Sequence, residues 1–125
     1  MPITKKAKIV IDLDQTLTIK SEGVDYSAAK VNEPVAQTLR EYHSQGFEII
    51  IMTARNMLTH QGMIGKINAK TLPVIVNWLN ENNIPYDEIH VGKPWCGNGG
   101  FYVDDKAIRP QEFTNLSYKE ILALI

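Results

Sequence analysis

Cysteine is nearly absent from this chain. Cys96 stands alone among 125 residues, which excludes a disulfide framework and a cysteine-rich zinc pattern. A dominant charge of one sign is missing too. Thirteen Lys and Arg face fourteen Asp and Glu, for a formal net charge of -1. That excludes the broad basic field by which proteins hold nucleic acid regardless of sequence. No apolar run approaches the roughly 20 residues of a membrane span. Lys5 and Lys6 precede an apolar stretch, but it stops at Asp12 and is too short for a signal-peptide core. Internal repeats, linkers and low-complexity segments are lacking. These absences predict one domain over residues 1–125 in a reducing, cytoplasmic setting, with neither membrane nor non-specific nucleic acid as partner. A chain of this length builds a core without covalent cross-links.

What is present is organised around Ile9 to Thr18, which reads Ile-Val-Ile-Asp-Leu-Asp-Gln-Thr-Leu-Thr. Ala7 to Leu13 is almost continuously apolar apart from Lys8, as a strand buried on both faces would be. Asp12 and Asp14 are two residues apart, and in a strand such residues point the same way. Two carboxylates so placed repel unless a cation or a shared proton compensates. The stretch therefore predicts a divalent-metal site with a carboxylate nucleophile.

After Thr18 the chain turns polar through Lys20-Ser21-Glu22-Gly23, and Leu17 to Val31 predicts a turn plus a small hairpin. Asn32-Glu33-Pro34 opens a helix whose apolar residues are Val35, Leu39 and Tyr42, with Gly46 as its stop. Phe47 to Met52 is a second strand, ended by Thr53-Ala54-Arg55. Asn56 to Lys70 reads as a long polar connector with room for some helix. Thr71 to Asn83 is a helix with Leu72, Ile75, Val76 and Leu79 on one face and Pro73 in its first turn. Asp87 to Val91 is a third strand, left by Gly92-Lys93-Pro94. Phe101 to Val103 is a fourth, ending at Asp104-Asp105. Ser117 to Glu120 is a capping box that opens a last helix. Strands alternating with helices predict an α/β fold, a three-layer α/β/α Rossmann-like arrangement of a mainly parallel sheet.

In such sheets the carboxyl ends of the strands share one edge, where ligands bind. Asp12/Asp14, Thr53, Lys93 and Asp104/Asp105 all sit at strand ends, and each type has a use in phosphoryl transfer. Carboxylates hold Mg2+. A hydroxyl and backbone N–H groups hold phosphoryl oxygens. A lysine supplies a fixed positive charge, and one carboxylate can attack phosphorus.

Taken in order, these residues resemble the phosphatases of the haloacid dehalogenase superfamily. Asp12-Leu13-Asp14-Gln15-Thr16 matches the Asp-x-Asp-x-Thr motif, Thr53 the Thr or Ser ending the second strand, Lys93 the later lysine, and Asp104-Asp105 the acidic pair. The resemblance implies that Asp12 is the nucleophile and a metal ligand. Asp14 would be general acid and base, with its backbone carbonyl on the metal. Thr53 and Lys93 would complete the catalytic set. Thr16, Thr53, Ala54, Arg55 and Lys93 would bind substrate and phosphate. Asp12, Asp14, Asp104 and Asp105 would form the Mg2+ site, Asp105 directly or through water. Two departures stand out: Gln15 occupies a position that is often Gly, and neither inter-motif gap is long enough for a cap domain. The chain resembles the short cap-less proteins labelled capsule-biosynthesis phosphatases. Without a cap, the site would be open to large or polymer-borne phosphomonoesters, or covered by another subunit in a homo-oligomer.

The resemblance thus implies a Mg2+-dependent phosphomonoester hydrolase working through an aspartyl-phosphate. Its rivals are a receiver-like phospho-acceptor domain, a phosphomutase or phosphotransferase, and a degenerate binding module. A receiver's acidic pair precedes its acceptor and it lacks the second Asp two residues on. Simpler alternatives exist residue by residue. Thr53 could cap a turn, Lys93 could be an exposed loop residue, and Asp104-Asp105 could be turn formers. Arg55 either reads substrate or pairs with a carboxylate. Cys96 is expected to pack rather than react, since no His lies near it. Trp95 is expected to pack. His43, His60 and His90 show no metal spacing, and the glycines at 97–100 lack a dinucleotide-loop context.

Overall fold

The computed structural model describes residues 7–19 and 25–125. The Lys5-Lys6 pair and the polar turn expected at Lys20 to Gly23 lie outside the described residues. Packing divides the chain into two compact units, Met1–Trp95 and Cys96–Ile125.

The first unit holds a parallel sheet of β1 (Lys8–Asp12), β2 (Glu48–Met52) and β3 (Glu88–His90), in that order. Its register sets Asp12 opposite Met52 and Met52 opposite His90. The carboxyl ends of all three strands therefore lie level. Helix α1 (Glu33–Ser44) joins β1 to β2, and a longer helix ending in α3 (Leu72–Glu81) joins β2 to β3. Two right-handed crossovers made in the same direction put both connections on one face of the sheet. Burial agrees with this. Ile49 and Ile51, alternate residues of β2, are fully buried, whereas Val10 of β1 is 59% exposed. The buried face packs with Val35, Ala36 and Leu39 of α1 and with Ile75, Trp78 and Leu79 of α3. The α/β fold with a parallel sheet is the one the alternation predicts.

Helix α1 begins where Asn32-Glu33-Pro34 places it. Asn32 caps through its carbonyl, which accepts from the Ala36 N–H at 2.9 Å, while its side chain makes no capping bond. Gly46, at φ 101°, takes the left-handed conformation that turns the chain out of α1. Tyr42 and Phe47 then pack edge to face across that turn, 5.0 Å between ring centres. Two residues before Tyr42, Arg40 donates from Nε to the Asn83 carbonyl (3.0 Å) and from Nη2 to the Asn82 carbonyl (2.9 Å). This ties α1 to the carboxyl end of α3.

The second helical connection starts earlier than its sequence suggests. Helix begins at α2 (Ile64–Lys66), passes through a π turn at Ile67–Thr71, and continues as α3. The physical reason is Pro73. A proline inside a helix lacks an N–H and presses on the carbonyl one turn back, so its position read as a first turn. The wider turn, with the Leu72 N–H bonded to the Ile67 carbonyl, lets the helix run on past the proline. Only the part of the Asn56 to Lys70 connector before Ile64 is turn structure.

Between β1 and α1, Thr18 and Val31 form an antiparallel bridge. The Ile19 N–H donates to the Lys30 carbonyl at 3.0 Å. This matches the expected small hairpin in its described part. A short 3-10 turn at Tyr26–Ala28 is capped by Asp25, whose carboxylate accepts from the Ser27 N–H at 3.0 Å. The Trp78 indole N–H of α3 donates to the Ala29 carbonyl at 2.8 Å and anchors this excursion.

The second unit corrects one expectation. Phe101 to Val103 is not a strand: Phe101 is 80% and Val103 87% exposed, and no strand forms among the described residues of this unit. Three apolar residues have no strand stability without a paired neighbour, and composition alone does not reveal that neighbour. The unit contains α4 (Pro110–Asn115) and α5 (Tyr118–Leu124), with Phe113 and Ile121 buried. The capping box at α5 is the one read from sequence. Ser117 Oγ accepts from the Glu120 N–H, and the Ser117 N–H donates to the Glu120 carboxylate at 2.9 Å. Those bonds hold the Glu120 carboxyl below its ordinary value. Among the described residues no helix is long and apolar enough to cross a membrane.

Candidate active site

The level strand ends of the first unit hold the candidate site residues. Asp12 is the last residue of β1, and its backbone leads into a tight turn. The Leu13 carbonyl there accepts from the N–H groups of Leu17 (2.9 Å), Thr18 (3.1 Å) and Thr16 (3.3 Å). The turn requires Gln15 to take φ 61°, the left-handed region. That explains why glycine is common at this motif position, and the Gln15 N–H is held there by Thr18 Oγ1 at 3.0 Å. The same turn brings Thr16 back over the strand end, where its hydroxyl donates to Asp12 Oδ2 at 3.3 Å.

Lys93 approaches Asp12 from the loop after β3, with Nζ 3.7 Å from Oδ1. Its N–H donates to the Thr53 carbonyl at 3.1 Å, and the Thr53 N–H donates to the His90 carbonyl at 2.9 Å. These bonds continue the β2–β3 pairing one step beyond the strands and fix the lysine's starting point. Gly92 lies at the bend with φ 85°, and a Cβ there would meet Ile64 Cδ1 at 2.5 Å. Burial pushes the Asp12 carboxyl above its ordinary value. Lys93, the Leu13 N–H and the Thr16 hydroxyl pull it back, while Asp14 adds to the rise.

Asp14 is engaged on both oxygens. Arg55 Nη2 donates to Oδ1 at 2.7 Å and Nε to Oδ2 at 3.0 Å, the two-bond geometry that makes arginine–carboxylate pairs strong. The Arg55 side chain is 1% exposed. Its guanidinium carbon stands 4.2 Å from the ring centre of Tyr26, and Nη1 is buried with no acceptor among the described residues. Thr53 is buried beside it, and Oγ1 accepts from the Arg55 N–H at 3.0 Å. Ala54, between them, accepts from the Met57 N–H at 3.0 Å.

The first unit thus brings together Asp12, Asp14, Thr16, Thr53, Arg55 and Lys93, with Ala54 in the backbone between two of them. Of the two roles open to Arg55, pairing with a carboxylate is the one observed. Asp104 and Asp105 belong to the second unit. Both are exposed there, and Asp104 Oδ1 accepts from the Lys106 N–H at 2.8 Å, closing a local turn. Among the described residues no group of three or more His, Cys, Asp or Glu side chains gathers that could hold a metal. Tyr26 is the one site neighbour the sequence did not reveal, because the excursion that carries it has no periodicity to read. Away from the site, a surface depression of about 400 Å³ between Asn68, Pro73 and Asn80 has no ionisable side chain in its lining.

Residues 9–98 match the family described as PITM 1-3, LNS2 domain. A crystal structure of a protein from Vibrio cholerae is 52% identical, with a TM-score of 0.90 over 94% of this chain and 95% of that one. A chain of the Pnkp1/Rnl/Hen1 complex aligns at 24% identity with a TM-score of 0.51, over 90% of this chain and 36% of the other. That second likeness concerns the fold alone. No curated protein matches the chain.

Proposed function

The chain belongs to the LNS2 domain family of PITM 1-3, which has the haloacid dehalogenase-like phosphatase fold, and we propose that it hydrolyses phosphomonoesters through an aspartyl-phosphate on Asp12. The observation that carries this reading is the setting of Asp12. One carboxylate oxygen faces the Lys93 ammonium, the other accepts from Thr16, and a second acid follows two residues on.

Mg2+ fits the donors of the first unit. Asp12 offers a half-buried carboxylate whose charged form burial disfavours, which is the condition a cation relieves. Arg55 occupies the Asp14 carboxylate, and the resemblance implies the Asp14 backbone carbonyl as the second ligand. Two hard oxygen ligands suit an ion that is bound through few carboxylates, several waters and substrate phosphate. When bound, Mg2+ would neutralise phosphoryl oxygens and favour attack at phosphorus.

The chain's own residues then divide the work. An Asp12 oxygen attacks phosphorus, and the bond from phosphorus to the ester oxygen breaks. Asp14 gives a proton to that leaving oxygen. Water next attacks the aspartyl-phosphate and loses a proton to Asp14, which frees inorganic phosphate and restores Asp12. The Lys93 ammonium offsets charge on the phosphoryl group. Thr53 Oγ1 already accepts from Arg55, which leaves its hydrogen to donate to a phosphoryl oxygen. An open, cap-less site suits large or polymer-borne phosphomonoesters. Sugar phosphates are the first class to screen, from the resemblance to capsule-biosynthesis phosphatases, and a cytoplasmic setting suits Mg2+ supply.

The test is steady-state hydrolysis of a generic aryl phosphate with Mg2+. Multiple turnovers are expected. A single slow phosphorylation without turnover would instead favour the receiver-like reading. In Asp14→Asn the phosphoenzyme should still form from an aryl phosphate, whose leaving group needs no acid, yet persist unhydrolysed. Rapid turnover in that variant would contradict the acid and base role.

A further inference from the structure

We infer that Tyr26 and Arg55 form a positioning clamp for Asp14, in which the ring fixes the guanidinium and the guanidinium fixes the carboxylate. The inference rests on the reading of Asp14 as acid and base. Three observations carry it. Arg55 makes both of its bonds to Asp14 with separate nitrogens, Nη2 and Nε, so rotation of the guanidinium moves both carboxylate oxygens. The arginine is also committed: it lies 1% exposed with Asp14 on two of its nitrogens and Tyr26 over one face, which argues against a substrate-reading role. Finally, one face of the guanidinium is covered by Tyr26 at 4.2 Å, within the range of a cation–π contact. Tyr26 comes from the excursion between β1 and α1, far in sequence from Arg55. Tyr26 is 45% exposed and Arg55 almost wholly buried, so the tyrosine lies on the solvent side of the arginine.

The arrangement leaves Nη1 without an acceptor among the described residues. A buried guanidinium with an unpartnered nitrogen is drawn toward any orientation that satisfies it, and such an orientation would break the bond to one Asp14 oxygen. The tyrosine ring opposes that rotation. Asp14 must present an oxygen first to the leaving group and then to water, and a carboxylate free to swing would do both less often. Tyr26 and Arg55 are thus positioning residues that act through Asp14.

The experiment compares wild type with Tyr26→Ala and Tyr26→Phe, using an aryl phosphate and Mg2+. Phenylalanine keeps the ring face and should leave kcat near the wild-type value. Alanine should lower kcat about 5- to 30-fold, the factor expected for losing a partly desolvated cation–π contact, with kcat/KM for the aryl phosphate little changed. Its pre-steady-state burst should survive, because phosphorylation by an aryl phosphate bypasses the acid. A rise in KM alone would mark Arg55 as a substrate reader and overturn the clamp. Side-chain NMR supplies a readout independent of activity. The Arg55 Nε–H signal should persist at neutral pH in wild type and Tyr26→Phe, and exchange away in Tyr26→Ala. If wild type shows no turnover, the phosphatase reading falls while this signal still judges the clamp. If the signal survives unchanged in Tyr26→Ala, the clamp is refuted whatever the activity.

Discussion

Gly92 shows how a single residue ties stability to the site. Its φ of 85° suits glycine, and a Cβ would also press on Ile64. Placing a side chain in the left-handed region costs about 1–2 kcal/mol before any clash. Lys93 follows directly, with its N–H on the Thr53 carbonyl. Gly92→Ala should therefore lower the unfolding free energy by about 1–3 kcal/mol, by the left-handed cost plus local repacking. It should also slow turnover by shifting the lysine from Asp12. Urea unfolding read beside kcat checks both, and a variant as stable and active as wild type would remove Gly92 from the account. At this scale the sequence was informative where a residue type has few uses. Asp12, Asp14, Thr53 and Lys93 were legible from type and order. The partner of Arg55 was not, because arginine pairs with carboxylates and with phosphates by the same geometry. Gln15 was legible only as a departure, and its left-handed backbone supplies the reason.

Among the elements, the excursion between β1 and α1 carries the ring of the proposed clamp and has no periodicity to announce it. It is held by the Thr18–Val31 bridge and by the Trp78 indole N–H on the Ala29 carbonyl. Trp78 is almost fully buried, so Trp78→Phe removes a hydrogen bond and leaves a small void. A loss of about 1–3 kcal/mol is expected from the unpaired carbonyl and the lost volume. Because the same excursion carries Tyr26, turnover should fall as well, with kcat/KM for an aryl phosphate nearly unchanged. A destabilised variant with wild-type kcat would show that the excursion and the clamp are independent. The regular elements were easier to foresee. Strands β1, β2 and β3 and helix α1 fall within a residue or two of the stretches that apolar runs and caps mark out. The long helix did not, since Pro73 is a start signal in most helices and here follows a π turn. Phe101 to Val103 failed as a strand for the opposite reason: a strand depends on a partner, and no local pattern encodes one.

For the whole molecule, the fold matters through one consequence. Parallel strands with level carboxyl ends bring Asp12, Thr53 and the loop bearing Lys93 together at one edge of the first unit. The near-neutral charge adds no long-range field to attract a polyanion. On the proposed function, affinity for a phosphomonoester then comes from the local set of Lys93, Thr53 and Thr16, aided by Mg2+. The superfamily and the α/β fold were legible in the sequence, because apolar runs and helix starts alternate along the chain and the motifs that carry the resemblance follow in a fixed order. The substrate was not, since pocket shape comes from loops without a readable code.

The most direct measurement is phosphoryl trapping on Asp12 during Mg2+-dependent turnover of an aryl phosphate, with Asp12→Asn as the comparison and far-UV circular dichroism to verify folding. The account predicts acid-stable label on the peptide containing Asp12 in wild type. It also predicts turnover abolished by EDTA and restored by Mg2+, and neither label nor turnover in a folded Asp12→Asn. Full activity in that variant, or label elsewhere in the chain, would contradict it.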